Sequence, residues 1–290
     1  MKRFFLMSTL LLSALLVSAQ TKIVPQMKKG MKKTYVTEAT FNLPSNQSLT
    51  ITSETVYEVT DTTGDGYVLD IYITDVTTDA KDVESRIYSM ATEMLKGVHT
   101  KYTTDKEGKI MKVLEAEDVI TRTNGMLDKM LDKAPLPEST TASDLRQQLT
   151  GHLNEESLLQ SVRMAISPLA LNGKTISTGT DEEYNSEQGI KMKRTYTVNG
   201  KNSIQSYSKI DMSTEEMTKM MAGMFEKLMP ELPNDFMESM GEMVKNLKLD
   251  ASENATYTLG KDSWVKSITS ESNYGSMGVS ITMKTKVTQK

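Results

Sequence analysis

Short runs in which every second residue is apolar or β-branched recur along most of this chain. Tyr35, Thr37, Ala39 and Phe41 form the first. Leu49, Ile51, Thr55, Tyr57 and Val59 form the second, and Tyr67, Leu69, Ile71 and Ile73 the third. A period of two is that of a β-strand with one buried and one wet face. The turns between them are Pro44-Ser45-Asn46 and Thr63-Gly64-Asp65-Gly66, residue types that bend the backbone cheaply. The same pattern returns late in the chain. Ile190, Met192, Tyr196 and Val198 lead into Asn199-Gly200, then Ile204 and Tyr207; Asn-Gly is the strongest short hairpin signal. Three further runs close the chain, over 255–259, 264–269 and 279–287.

Between these strand regions the period changes. Val83, Ile87, Met90, Ala91, Met94, Leu95 and Val98 recur at helical spacing, the stripe of an amphipathic helix. A hairpin follows, with strands over 100–104 and 110–114 around Asp105-Lys106-Glu107-Gly108. Val119, Ile120, Met126, Leu127, Met130, Leu131 and Ala134 predict a second helix, which Pro135 and Pro137 stop. Ser143 and Asn154 read as N-caps of two more, with Glu155 and Glu156 in the first turn of the later one and Pro168 at its end.

The expected fold class is therefore α+β: a long curved antiparallel sheet of about eleven strands, an unclosed half-barrel, with amphipathic helices on its concave side. The expected domain organisation is one domain over 20–290, built from two pseudo-repeated halves that meet near 133–143.

The N-terminus has the layout of an export signal. Lys2 and Arg3 precede an apolar run over 4–17, and Val17-Ser18-Ala19 places small residues before a cleavage point after Ala19. The run is shorter than the ~20 residues a membrane span needs. No cysteine follows for lipidation, and the whole chain has none. The expected mature protein of 271 residues is periplasmic or secreted, with no transmembrane segment, and is held by its core rather than by disulfides. Thiolate zinc sites, iron–sulfur clusters and cysteine nucleophiles are excluded. A net charge of -4 gives no basic face for nucleic acid.

Nine of the 22 methionines lie between positions 212 and 243. Met217, Met220, Met221, Met224, Phe225 and Leu228 follow helical spacing, and Phe236, Met240, Val244 and Leu247 do so after Pro230 and Pro233. Three readings fit: a helical hairpin packed on the sheet, a deformable apolar surface for a hydrophobic ligand, or a thioether copper(I) site. No histidine lies in the segment, which disfavours the metal. The candidate ligand-binding residues are accordingly Met217, Met220, Met221, Met224, Phe225, Leu228, Phe236 and Met240, with no metal, no cofactor and no catalytic residue expected.

Other motifs have ordinary roles. His99 and His152 lack partners at zinc spacing. Asp61-Thr62-Thr63-Gly64-Asp65-Gly66 resembles a calcium loop, but its twelfth position is Tyr72, where the bidentate glutamate belongs. Gly173-Lys174-Thr175 lacks the upstream glycine of a phosphate loop, since that position is Pro168. Asp181-Glu182-Glu183 with Glu187 reads as a solvated turn. Lys22, Lys28, Lys29, Lys32 and Lys33 read as a solvated N-terminus or a contact for anionic headgroups. Trp264 reads as a core anchor.

The Val-Ser-Ala-Gln ending of the signal, the meander around 56–74 and the Asp105-Lys106-Glu107-Gly108-Lys109 hairpin before an amphipathic helix go together with Tyr257-Thr258-Leu259 and Ser263-Trp264. This set resembles a family of secreted Bacteroidota proteins, a domain-of-unknown-function family. The layout is also similar, at the level of fold, to the half-barrel lipoprotein carriers of the periplasm, which implies a cavity for acyl chains. The function expected is a non-catalytic envelope protein that binds a hydrophobic ligand, a lipid or an acylated partner, between sheet and Met-rich helices. The alternatives are a structural or protein-interaction module of the envelope and a carboxylate-based hydrolase.

Overall fold

The structure is a computed structural model. It describes residues 20–42, 48–79, 90, 93–132, 141, 143, 146–147, 153–186, 190–213, 215–217, 219–220, 250–276 and 279–290. The strands are β1 (Thr21–Lys22), β2 (Lys32–Asn42), β3 (Ser48–Thr62), β4 (Tyr67–Thr78), β5 (His99–Thr104) and β6 (Ile110–Leu114). They continue with β7 (Thr175–Ile176), β8 (Asp181–Asn185), β9 (Lys191–Val198), β10 (Ser203–Ile210), β11 (Asp250–Leu259), β12 (Val265–Ser276) and β13 (Val279–Gln289). Two described helices, α1 (Ala116–Leu131) and α2 (Glu155–Arg163), lie between β6 and β7.

Eleven strands form one antiparallel sheet in the order β6-β5-β4-β3-β2-β13-β12-β11-β10-β9-β8. Every neighbour pair but one is consecutive in the chain. The exception is β2 against β13, which joins the first long strand to the last, with Thr37 opposite Val287. The sheet is not closed; β6 and β8 are its edges. The three N-terminal strands, the Asn199-Gly200 hairpin and the three C-terminal strands lie where the alternation puts them. Several are longer than expected, because runs of threonine and serine extend them past their last apolar residue.

Alternation sorts the two faces. In β10, Ile204, Ser206 and Ser208 are buried while Gln205, Tyr207 and Lys209 are exposed. The buried face carries Tyr35, Tyr57, Leu69, Tyr257, Ile268 and Val287 into one core. Tyr35 and Tyr57 meet edge to face at 5.3 Å, and the Tyr35 hydroxyl donates to the Val265 carbonyl at 2.7 Å.

Chain from the N-terminus and from the middle of the sequence covers this face. Asn154 caps α2 in a capping box with Ser157, and Leu159 and Val162 join the core. The helix stops at Arg163, short of Pro168, because Met164 already has extended geometry; residues 165 and 167–172 remain buried without being helical. β1 pairs with β7. Gly173 donates to the Ile23 carbonyl and Ile23 to the Lys174 carbonyl, each at 2.9 Å. Trp264 is 1% exposed, and its Nε1 donates to the Gln26 carbonyl at 2.8 Å.

The basic N-terminus is therefore not a loose solvated tail. Ile23 is buried, and Lys22, Lys29, Lys32 and Lys33 pair with Glu107, Asp61, Glu58 and Asp262. These lysines pair with acidic residues of the sheet and its turns that lie 26 to 229 positions away in the chain; sequence spacing does not reveal such pairs.

Helices are few among the described residues. Of the layer expected over the concave side, α2 joins the sheet core, whereas Leu127, Met130 and Leu131 of α1 form a separate cluster with Met90 and Met94. Of the helix expected over 83–98, residues 90 and 93–94 are helical, but 95–98 are not: Lys96 bridges to Ile73 and the Val98 amide closes a turn on the Leu95 carbonyl. Residues 143, 146 and 147 are helical, so Ser143 stands inside its helix rather than before it. The rest of both segments, most of the 133–143 boundary and most of the Met-rich segment lie outside the described residues.

Gly66, which opens β4, has no room for a side chain. A Cβ there would lie 1.9 Å from the Thr104 carbonyl oxygen and 2.6 Å from the Asp105 carbonyl carbon. Both obstacles are backbone, so the β4 start and the β5–β6 hairpin must separate to admit a methyl group. Gly66→Ala is expected to cost about 1–3 kcal/mol in urea unfolding. Gly64→Ala, with nothing within 4 Å, should change stability far less.

Candidate functional site

A cavity of about 850 Å³ lies between the 160–176 segment and the sheet face of β8, β9 and β11. Its size falls within the range of roughly 300–1,000 Å³ typical of small-molecule sites. Ile110, Leu169, Ala170, Ile176, Ile190 and Met192 supply an apolar wall. Arg163, Lys174, Glu182, Arg194 and Glu253 supply charge, with Lys109 beside them.

The charged floor is one row of the sheet. Glu182 pairs across to Arg194, Arg194 to Ser208, Ser208 to Glu253 and Glu253 to Ser272. Antiparallel pairing places all five on one face, at one level. Arg194 is the most enclosed of its charged members, its side chain 5% exposed. Its Nε donates to Ser208 Oγ at 3.0 Å, its guanidinium carbon sits 4.4 Å from the Tyr184 ring centre, and Nη1 approaches Glu182 at 3.6 Å.

Glu182 is the hub. Lys174 Nζ donates to both its oxygens at 2.7 Å, and the Tyr196 hydroxyl donates to Oε2 at 2.6 Å. Burial works against its charge, but Lys174, Tyr196 and Arg194 outweigh burial and hold the carboxyl below its ordinary value. Burial draws the Lys174 ammonium down, opposed by Glu182. With Nζ equidistant from two carboxylate oxygens, the pair is ionised at neutral pH. Burial likewise pushes the Tyr196 phenol up.

Glu253 behaves differently. Burial raises its carboxyl above 4.5, against the pull of Arg194, and its remaining polar contact is Ser270 Oγ at 3.2 Å. Between 4.5 and the raised value the folded state binds a proton that the unfolded state has released, so stability falls as pH rises through that window. Glu253→Gln is therefore expected to raise the melting temperature at about pH 8, with a gain that shrinks toward about pH 4. Thermal denaturation across that range reads the sign directly.

These residues were not among the candidates read from the sequence. Asp181-Glu182-Glu183, expected as a solvated turn, is edge strand β8 with Glu182 pointing into the cavity. The turn reading failed because acidic residues mark turns only on average, and here Glu182 is matched by Lys174 before it and by Arg194 on the neighbouring strand. A signal was present: Arg194 shares its parity with Met192 and Tyr196, and Glu253 shares its parity with Ala251, Ala255 and Tyr257. A charge at an inward position of a strand marks a buried polar site.

Of the eight candidates expected to bind ligand, Met217 is 8% exposed and Met220 half-buried; neither lines the cavity among its described walls. Residues 215–217 and 219–220 are helical, behind a Ser213–Glu216 capping box. Met221, Met224, Phe225, Leu228, Phe236 and Met240 lie outside the described residues. His99 is hydrogen-bonded through Nδ1 to Asp70 at 2.8 Å and stacks on Tyr72; His152 lies outside the described residues. No group of three or more potential metal ligands occurs among the described residues, and no described helix is long and apolar enough to cross a membrane.

No protein-family model and no curated protein matches the sequence. Solved structures give distant likenesses. A structure of lipid–protein interactions in lipovitellin has a TM-score of 0.41 at 12% identity; the likeness covers 91% of this chain and 25% of that one, so this chain spans about a quarter of lipovitellin's length. An exported protein with a YmcC-like fold from Bacteroides fragilis has a TM-score of 0.27 at 7% identity, covering 91% of this chain and 97% of the other. A porin-like protein from Bacteroides uniformis has 0.21 at 10%, covering 89% and 95%. At such scores the functional reading rests on the cavity's own geometry.

Proposed function

We propose that this chain is an exported, non-catalytic protein of the cell envelope that holds an apolar small molecule, or the acyl group of a partner, in the cavity between the 160–176 segment and β8, β9 and β11. One observation carries the reading: a cavity of about 850 Å³ whose wall is built from aliphatic side chains rather than filled by them. A sheet face of this size ordinarily closes on itself or on a helix layer, and interiors pack with few voids larger than a water molecule. The export signal over 1–19 supports a periplasmic or secreted location.

The non-catalytic reading is supported by the placement of the two carboxylates. Glu182 is committed to Lys174 and Tyr196, and Arg194 lies between it and Glu253 in the row. A hydrolase working through paired acids needs a facing pair with a free acid and a free base. Apolar contacts with a few fixed polar groups are what a binding site requires.

The test is native mass spectrometry of the protein purified from an exporting host, repeated after organic extraction. A stoichiometric apolar molecule lost on extraction is expected. An extraction-insensitive mass, together with no uptake of a fluorescent fatty acid, would overturn the proposal.

A further inference from the structure

The cavity's charges are unevenly placed. Glu182 and Arg194 lie on the sheet floor, while Lys109 and Arg163 are exposed at the opposite rim. Arg163 Nη2 donates to the Ile110 carbonyl at 3.2 Å, which fixes the guanidinium beside the residue that follows Lys109. That bond uses one of five guanidinium donors. Lys109 in turn backs onto Gly173, where an added Cβ would lie 2.9 Å from the lysine Cβ, and its charge is felt at Lys174. Three cations therefore line the cavity from the β5–β6 turn, the end of α2 and the chain entering β7.

The nearby carboxylates are already engaged. Glu107 pairs with Lys22 and Glu182 with Lys174. Among the described residues neither Lys109 nor Arg163 makes an ion pair. Four cations and two carboxylates line the cavity among those residues. Like charges lining the edge of one apolar cavity repel one another unless an anion lies between them, and a guanidinium held at one point presents its remaining donors as a fork for carboxylate or phosphate oxygens.

Resting on the reading of the cavity as an apolar ligand site, we infer that its ligand is an amphiphile with an anionic oxygen headgroup, held at the rim by Lys109 and Arg163, with its hydrocarbon chain against Ile110, Leu169, Ile176 and Met192. The ammonium of Lys174 sits below the rim and reinforces the positive potential without leaving Glu182.

The test is equilibrium binding of four probes of equal chain length: palmitic acid, hexadecyl phosphate, hexadecanol and hexadecyltrimethylammonium, each below its micellar concentration, by displacement of a fluorescent fatty acid. Palmitic acid or hexadecyl phosphate is expected to bind about tenfold tighter than hexadecanol, and the cation weakest. The advantage should shrink in Lys109→Gln and Arg163→Gln, both at exposed positions, and in molar salt. Preference for the phosphate over the acid assigns the headgroup to a phospholipid-like source; the reverse assigns it to a free fatty acid. Equal binding of acid and alcohol overturns the headgroup inference and leaves the cavity reading standing. No binding of any probe overturns both.

Discussion

Arg194→Ala is expected to cost about 3 kcal/mol of stability, the low end of the range for breaking a buried ion pair. The side chain is 5% exposed, and three neighbours depend on it. Ser208 loses its hydrogen bond at 3.0 Å, Tyr184 loses the cation on its ring, and Glu182 keeps Lys174 but loses the charge beside Oε2. The surviving Lys174–Glu182 contact keeps the loss from the upper end of that range. For a chain of this size the melting temperature should fall by about 6–12 °C. Arg194→Lys should recover little, because an ammonium cannot reach Ser208 and Glu182 at once while stacking on Tyr184. A loss below about 1 kcal/mol would mean that the guanidinium is solvated and the row is no buried floor.

Trp264→Ala is expected to cost about 3–5 kcal/mol, the range for deleting a buried large aromatic side chain. Its indole joins the start of β12 to the segment after β1 through the Gln26 carbonyl, and Lys33 lies 6.0 Å from its ring. The loss should therefore have a local signature beyond lower stability. Amide exchange in residues 23–31 should accelerate more than in β11 or β13, since the indole hydrogen bond helps hold that segment to the sheet. Trp264→Phe keeps most of the apolar contact and loses the hydrogen bond, so about 1 kcal/mol is expected. Uniform acceleration of exchange would show that the N-terminal segment is held elsewhere.

The sheet was legible because its strands obey one rule at a time. Tyr35, Thr37 and Ala39, or Ile204 and Ser206, alternate regardless of what lies across the sheet, and Asn199-Gly200 fixes its hairpin locally. What local pattern could not supply was partnership. β1 and β7 have two residues each, too short for any period, and exist because Thr21 faces Ile176 across 155 positions of chain. Lys33 finds Asp262 across 229 positions, and Lys22 finds Glu107 across 85, for the same nonlocal reason.

The site was partly legible and was passed over. Composition drew attention to methionines, whereas the cavity announces itself by charge at the wrong parity. Arg194 between Met192 and Tyr196, and Glu253 between Ala251 and Ala255, break the apolar rhythm of their strands. Such breaks are costly unless compensated, and the compensation is the row from Glu182 to Ser272. Lys109 and Arg163 carried no comparable signal, since each occupies an ordinary surface position of a hairpin and a helix end.

The most direct test of the account is photo-crosslinking of the folded full-length protein with a fatty acid bearing a diazirine along its chain, followed by peptide mapping. The cavity reading predicts label on peptides spanning 160–176 and 190–196, competed away by unlabelled fatty acid. Label confined to 213–249, or spread without competition, would contradict it.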